Sequence, residues 1–127
     1  MNIEVAIIDD DPIILFLHKR ILKTTGFHQH PQAFDKAQKA LDFFNSLQGP
    51  QNTVVAFLDI NMPGMNGWDL LDIIHKQDFE FPIYVVMVTS SVDTEDKIKA
   101  KTYSKVIHFT EKPLSAEDIE VLKQKLP

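Results

Sequence analysis

The chain predicts an α/β domain built on a parallel sheet covered on both sides. Three observations predict it. Short apolar runs of strand length recur at 5–8, 54–58, 83–88 and 106–109. They are rich in β-branched residues and lack polar alternation, which is how a strand buried on both faces reads. Between them the apolar residues repeat at helical spacing, and strand and helix alternate in a way that favours parallel strands joined by crossover helices.

The elements follow in order. The run at 5–8 ends on Asp9, Asp10, Asp11 and Pro12, and after it Ile13, Ile14, Leu17, Ile21 and Leu22 predict one apolar helical face, with Gly26 as a stop. The stretch FHQHPQAF at 27–34 is polar and carries Pro31, so it reads as a weaker edge strand. Ala37, Ala40, Leu41, Phe44 and Leu47 predict a second helix with Asp35 near its start. The run at 54–58 leads directly into Asp59, then into the turn-forming sequence Asn61, Met62, Pro63, Gly64. A third helix over about 66–76 carries Leu70, Leu71, Ile73 and Ile74, and Met62, Met65 and Trp68 read as packing residues. After the run at 83–88 come Thr89, Ser90 and Ser91, then a short, polar fourth helix over about 94–101. The run at 106–109 leads to Thr110, Glu111, Lys112 and Pro113. The last helix opens at SAED, where Ser115 caps and Asp118 reaches back in a capping box, and Ile119, Leu122 and Leu126 form its apolar side.

Composition narrows the function. A chain of 127 residues with no internal repeat or linker predicts a single domain over 1–127. There is no cysteine, which excludes a disulfide framework, a thiolate metal site and a cysteine nucleophile, and which fits a cytoplasmic location. The N-terminus lacks the pattern of a signal peptide, and no apolar run is long enough to span a bilayer. The net charge of -5 argues against a nucleic-acid surface, and the basic stretch KIKAKTYSK reads as a solvated helix face.

In an open parallel sheet, ligands bind outside the carboxyl ends of the strands. The residues that follow the apolar runs are therefore the candidates: Asp9, Asp10 and Asp11, Asp59, Thr89, and Lys112. Each has an ordinary reading alone. Asp9 to Asp11 can cap a helix, Asp59 can be a turn residue, Thr89 a cap and Lys112 a solvated charge. Together they fall at one end of separate strands. Two unit charges at about 4 Å repel by roughly 1 kcal/mol in water and by about 4 at an effective dielectric near 20. A hard divalent cation removes that penalty, and magnesium suits a site of one or two carboxylates, a carbonyl and waters. A cation, an ammonium and a hydroxyl form a clamp for a phosphoryl group around a carboxylate nucleophile.

With AIIDDDP, LDINMPGMNG, VVMVTSS and FTEKPL in this order, the chain resembles the receiver domain of two-component response regulators, over roughly residues 3–125. The resemblance implies a flavodoxin-like, doubly wound five-stranded parallel sheet of order 2-1-3-4-5 with five helices on both faces. It implies that Asp59 accepts a phosphoryl group from a phosphohistidine of a sensor histidine kinase or phosphotransfer protein. It implies that Asp9, Asp10, Asp59 and the Asn61 carbonyl hold Mg2+, that Thr89 and Lys112 contact phosphoryl oxygens, and that the Lys112–Pro113 peptide is cis. It also implies a switch in which Thr89 and Phe109 turn inward and alter the face formed by the fourth and fifth helices. Members commonly carry tyrosine where Phe109 stands, so one hydrogen bond of that switch is missing here. Asn61 and Ser91 occupy positions that tune phosphoryl lifetime in the family, and Ser90 replaces a frequent alanine with another small residue.

The expected protein is therefore a switch rather than an enzyme, a monomer or weak dimer that acts by contact with a downstream protein or as a phosphorelay intermediate. A magnesium-dependent phosphatase with an aspartyl-phosphate intermediate is the competing class. Haloacid-dehalogenase-like phosphatases usually place a second acid two residues after the nucleophile, where this chain has Asn61. His28 and His30 alternate as on a solvated edge, a reading preferred to a two-histidine metal site. His18 lies in the first helix with nothing around it in the sequence to give it a role.

Overall fold

The computed structural model describes residues 2–90 and 93–127. Five strands, β1 (Asn2–Ile8), β2 (Gln32–Phe34), β3 (Asn52–Asp59), β4 (Ile83–Thr89) and β5 (Val106–Glu111), alternate with five helices, α1 (Pro12–Thr24), α2 (Ala37–Ser46), α3 (Gly67–Lys76), α4 (Thr94–Lys101) and α5 (Ala116–Lys125). The strands form one sheet in the order β2-β1-β3-β4-β5, and every neighbouring pair is parallel. This is the doubly wound arrangement expected from the sequence, and β1 and β3 lie side by side where the strand order reverses, the place such sheets bind ligands.

The alternation of side chains along β3 divides the core in two. Val54, Ala56 and Leu58 face one cluster, which contains Ala40 and Phe44 of α2 and Leu70 and Ile74 of α3. Val55 and Phe57 face the other, which contains Leu22 of α1 and Ile119 and Leu122 of α5. All eight residues of β3 are buried, so its run of apolar side chains is the consequence of having helices on both sides.

Three expectations need correction. The second strand is confined to Gln32–Phe34, and 27–31 form a connection. Within it Phe27 packs edge-on against Phe57, and His28 donates from Nε2 to Ile3 O and accepts at Nδ1 from the His30 N–H. Both nitrogens of His28 thus serve the backbone, which removes the two-histidine metal alternative. Second, β5 is half-buried because it is the outer strand of the sheet, whereas its apolar run predicted burial on both faces. Third, the buried stripe of α1 is His18 and Leu22, flanked by Leu15 and Ile21, while Ile13 and Leu17 are exposed. Apolar residues surround most of this helix, so periodicity did not determine its phase. Asp11 does so in the structure, accepting at its carboxylate from the Ile13 N–H at 2.9 Å.

Burial is unequal among the helices. α3 buries Trp68, Leu70, Leu71 and Ile74, each side chain contributing on the order of 1.5–3 kcal/mol. α4 buries Ala100 alone, a contribution of about 0.8 kcal/mol. The helix following Thr89 is therefore the one least held by the core.

Candidate functional site

The carboxyl edge of the sheet collects the candidates. Asp9 directly follows β1, Asp59 ends β3 and Thr89 ends β4, and all three are at most 3% exposed. The loop after Asp59 turns sharply into α3, where Asn66 and Asp69 form a capping box. Gly67 is required at that turn. A Cβ there would overlap Asp59 O and lie 2.9 Å from Ile60 Cα, and the Gly67 N–H donates to Ile60 O at 2.9 Å. In the sequence Gly67 is only the last residue of the motif LDINMPGMNG, so its packing against the strand end carrying Asp59 emerges from the structure alone.

Lys112 lies just past the end of β5 and reaches back across the edge of the sheet. Its Nζ is 2.6 Å from Asp9 Oδ2 and 3.2 Å from Asp59 Oδ1. Its backbone N–H donates to Thr89 O at 2.7 Å, which ties this loop to the end of β4. The Lys112–Pro113 peptide is cis. Asp59 Oδ1 also accepts from the Asn61 N–H at 3.4 Å, and Asp9 Oδ1 accepts from the Asp11 N–H at 2.9 Å. The structure thus assembles Asp9, Asp59, Thr89 and Lys112 into one buried constellation, with Asp10 and Asn61 on its exposed side. Phe109 is half-buried against the α2–α3 side of the core. Ser90 is exposed, and Ser91 lies outside the described residues.

The electrostatics follow from this packing. Burial pushes the Asp59 carboxyl above its ordinary pKa, the nearby Asp9 charge adds to the rise, and Lys112 and the Asn61 N–H oppose it. Burial works against the Lys112 ammonium, yet its hydrogen bond to Asp9 and the charges of Asp59 and Asp9 outweigh that and hold its pKa above the usual lysine value. One ammonium therefore serves two carboxylates and sits closer to Asp9. Asp9, Asp10 and Asp59 each offer a carboxylate oxygen within 4.8 Å of the others, a spacing and a hard-oxygen set that fit a small divalent cation. The repulsion that raises the Asp59 pKa is what a bound cation would relieve.

The sequence profile of the response regulator receiver domain matches residues 5–123. The chain belongs to the response regulator receiver domain family. Chemotaxis protein CheY-3 of Vibrio cholerae is 32% identical over 125 residues, covering 98% of this chain and 89% of that protein. A hybrid signal transduction histidine kinase C of Dictyostelium discoideum is 27% identical over 96% of this chain, which spans only 10% of that protein's length. A two-component response regulator from Cytophaga hutchinsonii has the same fold, with a TM-score of 0.84 and 33% identity over 98% of this chain and 96% of the other. The receiver domain is a two-component signalling element rather than an enzyme. Its acidic cluster is typical of the family's phosphoacceptor site, and receiver domains pair with histidine kinases. No helix among the described residues is long and apolar enough to cross a membrane.

Proposed function

We propose that Asp59 accepts a phosphoryl group from the phosphohistidine of a sensor kinase or phosphotransfer protein, in a reaction supported by Mg2+ at Asp9, Asp10, Asp59 and the Asn61 carbonyl. The observation that carries this reading is Asp59 itself, a buried carboxylate that shares the Lys112 ammonium with Asp9 at the carboxyl edge of the sheet. Both contacts of its carboxylate with Lys112 and Asn61 fall on Oδ1, and Oδ2 is assigned as the oxygen that attacks phosphorus. In that attack the new bond joins Oδ2 to phosphorus, the phosphorus–nitrogen bond breaks, and its electron pair leaves with the donor imidazole. A carboxylate and a phosphoryl group are both anionic, so the catalytic demand is mainly electrostatic. Lys112 supplies a fixed positive charge and hydrogen-bond donors for a phosphoryl oxygen, and Thr89 supplies a hydroxyl at the end of the neighbouring strand. Mg2+, when bound, supplies Lewis-acid neutralisation of the carboxylate cluster.

The product carries about -1.5 to -2 of added charge on a buried strand end. Thr89 and Lys112 are the groups placed to respond, and through them α4 and β5 with Phe109. The interaction face built from α4, β5 and α5 then presents two states to a downstream protein. Ile13 and Phe16, exposed on α1 beside the site, offer apolar surface to the phosphoryl donor.

Incubation with acetyl phosphate and Mg2+, followed by borohydride reduction and peptide mapping, tests the assignment. Reduction of an aspartyl phosphate leaves homoserine, and the expected position is 59. Homoserine at any other aspartate, or none, contradicts it.

A further inference from the structure

We propose that His18 is a positioning residue for phosphoryl transfer, acting as a neutral hydrogen-bond acceptor that fixes the loop carrying Lys112. This rests on the reading of Asp59 as phosphoacceptor. His18 is the one charged or polar residue of α1 that is fully withdrawn from water, at 2% exposure. A core histidine often does no more than satisfy itself. Here its partner decides otherwise, because His18 Nε2 accepts the Leu114 N–H at 3.1 Å, across 96 residues of chain and two residues beyond Lys112.

The segment 112–114 is thereby pinned at both ends. The Lys112 N–H is bonded to Thr89 O at 2.7 Å, Pro113 has no N–H, and the Leu114 N–H is bonded to His18. Every backbone donor of the segment is accounted for, and His18 supplies the only contact from α1 among them. That helix is registered to the same acids at its other end, since Asp11 donates its N–H to Asp9 Oδ1 and caps α1 at Ile13. A closed circuit results: Asp9, Lys112, Leu114, His18, the body of α1, Asp11 and back to Asp9. Lysine is a long and flexible side chain, so the position of Nζ depends on where its backbone is held. The role requires an acceptor at Nε2, which the neutral imidazole has and the imidazolium lacks. Burial and the nearby Lys112 charge, opposed by Asp118, lower the His18 pKa to about 4 and keep the ring neutral at physiological pH.

Three substitutions at His18, one of them also placed in a Lys112→Ala background, test this. His18→Gln retains an acceptor oxygen, while His18→Leu and His18→Phe fill the space without one. Amide hydrogen exchange, followed by NMR on the unmodified protein, is the first readout. Leu114 should exchange at least about tenfold faster in both non-acceptor variants, with Leu122 of α5 unchanged as an internal reference, and should stay protected in His18→Gln. The second readout is the rate of phosphoryl uptake from acetyl phosphate at saturating Mg2+. It should fall about tenfold or more in His18→Leu, recover in His18→Gln, and show no further loss when His18→Leu is added to Lys112→Ala. Mg2+ binding should not weaken. A protected Leu114 amide in both non-acceptor variants overturns the proposal, as does an equal loss of rate in the Lys112→Ala background. A wild-type protein that takes up no phosphoryl group overturns the phosphoacceptor reading, whereas an active wild type beside an equally active His18→Leu variant overturns the role of His18 alone.

Discussion

Ionising Asp59 in its site costs the fold stability. Its carboxyl pKa is raised, first by burial and then by the Asp9 charge, so the ionised form is less favoured in the folded chain than in the unfolded one. Its ionised form thus subtracts from stability. Asp59→Asn should therefore raise the melting temperature in Mg2+-free buffer, and a lower one would mean that pairing with Lys112 outweighs burial. His18 has the opposite consequence on acidification. Its folded pKa of about 4 lies below the ordinary 6.5, so its contribution to stability is complete above pH 6.5 and is lost as pH falls toward 4. The loss on the scale of this shift is on the order of 3 kcal/mol between pH 7 and pH 4. Urea unfolding of the wild type and His18→Gln at both pH values should show that difference, with the variant lacking this part of the slope. The sequence made Asp9, Asp59 and Thr89 legible because each directly follows an apolar run, and Lys112 because it lies three residues past one, and parallel strands bring such positions together. His18 was not legible, because its partner is a backbone amide on a loop 96 residues away.

At the scale of elements, the turn from β3 into α3 and the weakly buried α4 decide how the site is held and how it moves. Alanine is a better helix former than glycine by about 1 kcal/mol. At Gly67 that gain should be reversed, because the added Cβ meets backbone of Asp59 and Ile60 rather than a flexible side chain. Gly67→Ala is expected to destabilise by about 1–3 kcal/mol in urea unfolding. Little apolar burial anchors α4, but an aromatic clasp joins its C-terminal end to α3. Trp68 stacks on Tyr103 at 5.8 Å, Lys99 Nζ lies 4.6 Å from the Trp68 ring centre, and the Tyr103 hydroxyl donates to Asp72 at 2.6 Å. That hydrogen bond, with burial, pushes the Tyr103 pKa up to about 12. Trp68 is the only tryptophan, so its emission reports on this contact. Acetyl phosphate with Mg2+ should change the emission of the wild type and leave that of Asp59→Asn unaltered. The other four helices were legible from spacing and caps, whereas the polar α4 offered no apolar stripe, and the phase of α1 was hidden because apolar residues surround it. The length of β2 was also hidden, since hydrogen bonds of the 27–31 connection hold a polar segment that reads as strand.

For the whole molecule, the alternation of apolar runs and amphipathic segments was enough to predict a parallel sheet with helices on both faces, and the two core clusters on either side of β3 are its physical expression. The strand order came from the resemblance to receiver domains and matches the structure. What the pattern could not convey is how the loops at the carboxyl edge are tied to one another, through Thr89 O, the Lys112 backbone and His18. The central claim is that this edge takes a phosphoryl group at Asp59. Intact mass spectrometry after incubation with acetyl phosphate, with and without Mg2+ and beside Asp59→Asn, tests it most directly. The account predicts one phosphoryl adduct that requires Mg2+ and is absent from the variant. An adduct of equal yield on Asp59→Asn, or none on the wild type with Mg2+ present, would contradict it.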